Sequence, residues 1–243
     1  MSSFSTALAL HLPLFSSRRF PQPWTQDCAL CLAPSRERLV CAACEAALEG
    51  AASACERCAS PVLRGGRCDA CRGRRLAFDA ALARFDYRFP VDRLVLRFKY
   101  AGDLAVGRWL AERLAERAGS MPRPDVLVAP PLARTRLRER GFNQAVEIAR
   151  TVGRRLRLPV DAHAIERRRE TAPQARLGRR ARQANLRGAF ACARNVDGLH
   201  VAIVDDVLTT GATADALARA LKHAGAARVS VWAVARAPEP DSR

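Results

Sequence analysis

Eight of the nine cysteines fall into four pairs of one spacing: Cys28/Cys31, Cys41/Cys44, Cys55/Cys58 and Cys68/Cys71. A two-residue gap lets a tight turn aim both sulfurs at one point, as a tetrahedral ion requires, and two such turns close a four-thiolate site. The eight thiolates therefore predict two structural zinc ions. The rival reading, a disulfide framework, calls for a secreted chain. Spacing alone leaves open whether the first pair shares its zinc with the second pair or the third. A segment this short cannot fold on burial alone, so metal supplies much of its folding energy. Cys192, in GAFACA, reads as a small buried apolar residue.

No apolar run approaches the roughly 18 residues of a membrane-spanning helix. Residues 1–20 hold an apolar stretch of signal-peptide length, but its basic pair, Arg18–Arg19, follows the stretch and no cleavage site is evident. The expectation is a short amphipathic helix or tail on a cytoplasmic protein with reduced thiols.

Beyond residue 75 the texture changes. The run 81–87 reads as a strand, and Val91 to Tyr100 has helical spacing. Asp103 is placed to cap the next helix, and VLVAPP (126–131) is a buried strand entering a loop. GFNQAVEIARTVGRRL reads as a helix and LPVDAHAI as a strand. Residues 166–187 form a long arginine-rich loop with a helix from Leu177. HVAIVDD, TADALARALKHAG and ARVSVWAVAR close the chain as strand, helix and strand. Strands alternating with helices predict an α/β fold with a mainly parallel sheet and flanking helices. The predicted boundaries are an N-terminal segment 1–20, a double zinc ribbon 21–75, an α/β domain 80–237 and a tail 238–243.

The most informative run is VAIVDDVLTTGATADA (201–216). Four apolar residues form a strand, two carboxylates stand at its end, and a Thr/Gly turn opens a helix. Past the strand ends of such a sheet lies the ligand crevice. Backbone N–H groups of the turn 209–213, with the hydroxyls of Thr209, Thr210 and Thr213, can wrap a phosphate at the positive end of the helix. Gly211 lets the backbone come close. Asp205 and Asp206 are suited instead to sugar hydroxyls or to a nearby Mg ion.

Positions Val201 to Thr213, Ala212 included, fit the 5-phosphoribosyl-1-diphosphate (PRPP) signature of type I phosphoribosyltransferases. Together with the CxxC pairs, RFKYAGD (97–103), PPLARTRLRERGFNQA (130–145) and RETAPQARLGRRARQANLRGAF (169–190), the chain resembles the ComF/GntX family. That likeness implies a zinc ribbon followed by a type I phosphoribosyltransferase fold, a pentosyltransferase chemistry using PRPP with magnesium, and a link to competence and DNA uptake. It puts Asp205 and Asp206 at the ribose hydroxyls and Thr209 to Thr213 at the 5-phosphate. Arg138, Arg140, Gly141, Asn143 and Gln144 fall near the pyrophosphate loop. Arg167, Arg169, Thr171, Gln174, Arg182 and Asn185 fall on a mobile loop over the site, with Arg169 joining the aspartates in catalysis.

The formal net charge is +17, and of 41 basic residues only Lys99 and Lys222 are lysine. Residues 134–194 carry 17 basic and 5 acidic side chains, most of the excess. A polyanionic sugar phosphate under these loops accounts for that placement. The phosphoribosyl acceptor is left open. The alternative reading is a non-catalytic, PRPP-responsive protein that binds single-stranded DNA or a DNA-uptake partner. With aromatic residues at 6%, the chain has no obvious base-stacking platform for that role.

Overall fold

The run Val201 to Val204 contains no polar side chain, so a strand built from it needs cover on both faces. The computed structural model describes residues 26–36, 38–48, 53–62, 66–73, 75–169, 186 and 188–238, and places that run in the middle of a five-stranded parallel sheet. The chain divides into two compact units, Met1–Cys41 and Ala42–Arg243. The second unit contains the whole sheet, with β1 (Ala80–Asp86), β2 (Val126–Val128), β3 (Val160–Asp161), β6 (His200–Leu208) and β7 (Arg228–Arg236) in the order β1-β7-β6-β2-β3. Every pairing in it is parallel.

Parallel neighbours require helical crossovers, and the chain supplies them. The helices are α1 (Ala42–Ala47), α2 (Asp69–Arg72), α3 (Val91–Tyr100), α4 (Leu104–Ala118), α5 (Arg134–Arg140), α6 (Gln144–Leu156) and α7 (Ala212–His223). Alternation along β6 sends Val201 and Ile203 into a core shared with Leu217 and Leu221 of α7. The expected cap is present, since the Val106 amide donates to Asp103 Oδ1 at 3.1 Å and starts α4. Within α4, Gly107 faces Phe98 of α3 closely: a Cβ there would lie 2.3 Å from the Phe98 ring and force it to shift.

Two expectations are corrected, and one helix was not anticipated. LPVDAHAI is not one strand: it splits into β3 and β4 (Ile165–Arg167), and β4 pairs antiparallel with β5 (Phe190–Cys192) in a separate two-stranded sheet. The break falls where Asp161 Oδ1 accepts from the His163 amide at 2.8 Å and turns the chain. Residues 134–140 form a helix, unmarked in sequence because its lone large apolar residue, Leu137, is itself exposed. Cys192 is half-buried on β5, and its thiol donates to the Arg194 carbonyl. The readings of residues 1–20 and of a helix from Leu177 lie outside the described residues.

Candidate functional site

β2 stops at Val128, which pairs with Ile203, while β6 runs on to Leu208. From β2 the chain moves outward to β3, and from β6 it moves the opposite way to β7. The crevice where those directions part is the usual ligand position of an open α/β sheet. Asp205 and Asp206 stand at its β6 wall.

The two carboxylates differ in environment. Asp205 is half-buried and faces the negative charge of Asp206; burial and that charge together raise its pKa to about 7, against the pull of Lys99 and the Asp206 amide. That amide donates to Asp205 Oδ1 at 2.8 Å. Asp206 is held by Lys99, whose Nζ lies 2.9 Å from Oδ1 with both side chains largely withdrawn from solvent. Lys99 was not among the site residues anticipated from sequence. Its signal was rarity: in a chain that uses arginine almost exclusively, a lysine inside RFKYAGD marks a place where a compact ammonium serves better than a guanidinium fork.

Past Leu208 the chain turns through Thr209, exposed, and Thr210, whose buried Oγ1 accepts from the Ala212 amide. Gly211 sits at φ +76° and opens α7. The first amides of that 12-residue helix have no acceptor within it, and its dipole favours an anion there. Arg236 fixes the turn from behind. It is only 3% exposed, and its guanidinium donates to the carbonyls of Leu208, Thr209 and Ala237, to the Cys58 carbonyl at 2.9 Å and to Ser60 Oγ at 2.8 Å.

Sequence motifs far apart in the chain meet beside the aspartates. Phe98 and Phe142 pack at 5.4 Å between ring centroids, and the Arg140 guanidinium sits 5.1 Å from the Tyr100 ring. The end of α3, which carries Lys99, is thereby joined to the segment between α5 and α6. Arg138 and Arg140 close α5, Gly141 takes φ +77° after it, and Asn143 caps α6. Asn143 Nδ2 also donates to the Pro130 carbonyl at 2.9 Å, tying this segment to the loop that leaves β2. Gln144 is 1% exposed and accepts from Arg140 Nη1 at 2.9 Å. Arg167 lies on β4, 5.2 Å from the Phe190 ring, and Arg169 is exposed just beyond that strand. Thr171, Gln174, Arg182 and Asn185 lie outside the described residues.

The cysteines resolve the pairing question. Cys28, Cys31, Cys41 and Cys44 form one cluster, and Cys55, Cys58, Cys68 and Cys71 another, the ligand atoms of each within 4.8 Å of one another. Pairing is therefore sequential. The Sγ atoms of Cys31 and Cys41 are 3.8 Å apart, and those of Cys58 and Cys68 are 3.6 Å apart. Bonds of about 2.3 Å to a tetrahedral ion demand sulfur separations of about 3.8 Å, so both clusters fit a four-thiolate metal centre.

The second module repeats the first bond for bond. Cys28 N donates to Ala33 O and Cys55 N to Ser60 O, both at 2.8 Å; Leu32 and Ala59 adopt φ of 61° and 57°. Cys41 N donates to Cys28 Sγ and Cys68 N to Cys55 Sγ, both at 3.3 Å. Burial works against these two thiolates, but the amides facing them prevail and bring Cys28 to about 6 and Cys55 to about 7. Cys71 is pushed up by burial and by the facing Cys58, the form an ion would have to deprotonate.

A mostly parallel sheet with paired aspartates at its switch point and a Thr/Gly turn opening the next helix defines a phosphoribosyltransferase-fold protein, here joined to Cys-rich clusters. In agreement, residues 139–242 match the phosphoribosyl transferase domain family. The chain is 34% identical over 204 residues to the DNA utilization protein YhgH of Salmonella typhi, covering 81% of this chain and 90% of that protein. It is 32% identical over the same length and shares to YhgH of Escherichia coli strain K12. To competence protein F of Haemophilus influenzae it is 30% identical over 179 residues, 70% of this chain and 78% of that one. The protein belongs to the ComF/YhgH-like family. Among the described residues, no helix is long and apolar enough to cross a membrane.

Proposed function

We propose that this protein binds PRPP with Mg in the crevice at Asp205 and Asp206 and transfers its phosphoribosyl group to an acceptor. The observation that carries the reading is the pairing of Lys99 with Asp206 beside an Asp205 raised to about 7, ahead of a left-handed glycine that opens α7. In this reading the amides and hydroxyls of Thr209 to Thr213 hold the 5-phosphate, and the aspartates accept from the ribose hydroxyls. Arg138, Arg140, Gly141, Asn143 and Gln144 serve the pyrophosphate. Arg167 and Arg169 lead into the segment that, with Thr171, Gln174, Arg182 and Asn185, closes over it.

Transfer breaks the bond between ribose C1 and the pyrophosphate oxygen through an oxocarbenium-like state, while the acceptor forms the new bond to C1. Charge gathers on the departing pyrophosphate, so arginine neutralisation and exclusion of water lower the barrier and no side-chain nucleophile is required. Magnesium, when bound, supplies further neutralisation of the diphosphate. The two thiolate clusters hold structural zinc. The kinship to DNA utilization and competence proteins supports a role in handling DNA.

Calorimetry with PRPP and Mg tests the site, followed by pyrophosphate release across a panel of bases and nucleotides. Binding without release supports the second reading, a PRPP-responsive protein that engages single-stranded DNA or a partner. The Asp205→Asn/Asp206→Asn variant binding PRPP at wild-type affinity overturns the assignment.

A further inference from the structure

A second cavity lies away from the crevice, along β1, between that strand and the second cysteine module, with a volume of about 570 Å³. Its walls carry six arginines: Arg57, Arg67, Arg84, Arg117, Arg228 and Arg236. Against them stand three carboxylates, Glu56, Asp79 and Asp86. Two of these are engaged elsewhere: Asp79 by Lys222 at 2.9 Å and by the Val229 amide, Asp86 by Arg88 at 3.6 Å.

None of the six arginines forms a salt bridge with a carboxylate of the described residues. Arg57 and Arg236 spend their donors on main-chain carbonyls and, for Arg236, Ser60; Arg57 also feels the charge of Asp79, which Lys222 already pairs. Arg228 keeps a buried Nε with no hydrogen-bond partner. Arg84 is half-buried over the Phe85 ring, and burial lowers its pKa, as do the neighbouring charges of Arg113 and Arg117, while Glu116 pulls the other way. Like charges converging on one partly dry space, with a donor left unsatisfied, raise the free energy of the empty cavity and lower it when an anion enters.

The geometry points to a second binding site in this cavity for a small molecule bearing two or more phosphate groups. Guanidinium forks match phosphate oxygens bidentately, and several forks around one volume match several phosphates. The volume lies in the range of small-ligand pockets. Alanines at 80, 81 and 83 keep the floor open. Phe85, the one aromatic residue of the lining, is 2% exposed and offers no face on which a nucleobase could stack. These features select the phosphates rather than a base or a nucleic acid strand. The site shares Arg236 with the turn that opens α7, but neither aspartate nor any residue of that turn lines it, and its existence does not depend on PRPP binding in the crevice.

The test is calorimetric titration of inorganic triphosphate, without Mg and at low salt, into the full metal-loaded chain. Wild type binds, and the Arg84→Gln/Arg228→Gln pair weakens affinity about a hundredfold, with Arg117→Glu on the exposed rim weakening it about tenfold. Arg117→Glu keeps the test decisive if the buried pair fails to fold. Gly211→Val, which disables the turn opening α7, leaves triphosphate binding unchanged. Loss of binding in Gly211→Val with retention in both arginine variants assigns the anion to the crevice and overturns the proposal. A single-stranded oligonucleotide that needs these arginines and is not displaced by triphosphate overturns it also, in favour of nucleic acid.

Discussion

Lys99 Nζ reaches Asp206 Oδ1 at 2.9 Å, across from an Asp205 carboxyl whose proton is held to about pH 7. One ammonium thus lets two adjacent carboxylates share a crevice. Lys99→Met removes a cation that lowers the Asp205 pKa and raises its midpoint further. NMR titration of the Asp205 carboxyl should show an upward shift of a unit or more, about 1.4 kcal/mol per unit. Lys99→Arg should restore much of the midpoint without restoring full PRPP affinity, because a fork does not replace a point charge.

Asp205→Asn should stabilise the fold and disable the site. A carboxyl raised from its usual value to about 7 binds a proton in the folded state that the unfolded chain has released. Stability therefore falls as pH rises from about 4 to about 7, then levels off. Thermal melts should show the variant's advantage over wild type growing across that window and constant above it. PRPP affinity, which needs the ionised wild-type carboxylate, should rise over the same window in wild type and be lost in the variant.

Arg236→Met strands the carbonyls of Thr209, Ala237 and Cys58, while the Leu208 carbonyl keeps the Ala237 amide. Each buried carbonyl left without a donor costs about 1–3 kcal/mol, so a loss of at least about 3 kcal/mol is expected in denaturant melts. Arg236→Lys keeps the charge yet cannot span the same acceptors, and should recover only part of it.

Gly211→Ala tests the turn that opens α7. A Cβ there meets Phe78 and Leu208 at ordinary contact distances of 3.8 and 3.9 Å, so space is not the obstacle. The φ of +76° is, at a cost of about 1–2 kcal/mol for an L side chain. Urea melts should read that cost, and PRPP affinity should drop through displacement of the Thr209 to Thr213 amides.

Metal removal should separate the two cysteine clusters. Cys55, Cys58 and Cys71 belong to the core that includes Phe78, Val201 and Val231. Cys31 is exposed. Cys71→Ser should lower the melting temperature of the Ala42–Arg243 unit by roughly 5–10 °C, the equivalent of about 2–3 kcal/mol in a unit of this size. Cys31→Ser should leave that transition in place. Atomic absorption should show one of two metal ions lost in each variant.

Much of the sheet could be read from periodicity because its strands are apolar on both faces and its helices amphipathic. Val91 to Tyr100 and the Asp103 cap fall where spacing put them, since each is decided by contacts within a few residues. The β4–β5 hairpin was illegible: Ile165 and Cys192 pair across 26 intervening positions, and nothing local marks the partnership. Lys99 escaped for the same reason. Its role exists only once α3 lies beside β6, whereas the eight cysteines and the 201–213 run announce themselves by spacing. Arg236 reads as the polar end of a strand, and only the fold shows which carbonyls it gathers.

Every thiol of the two clusters precedes the first residue of β1 in the chain. Synthesis therefore delivers the complete set of metal ligands before any strand of the sheet has emerged. The second module can be finished while the nascent sheet is still being made, and β1 then has a ready edge, with the Ala81 amide donating to Glu56 O at 3.1 Å. If the clusters take up metal, ribosomal order would make its supply a checkpoint on assembly: a cell short of the ion would accumulate chains whose sheet is built on an unfinished foundation.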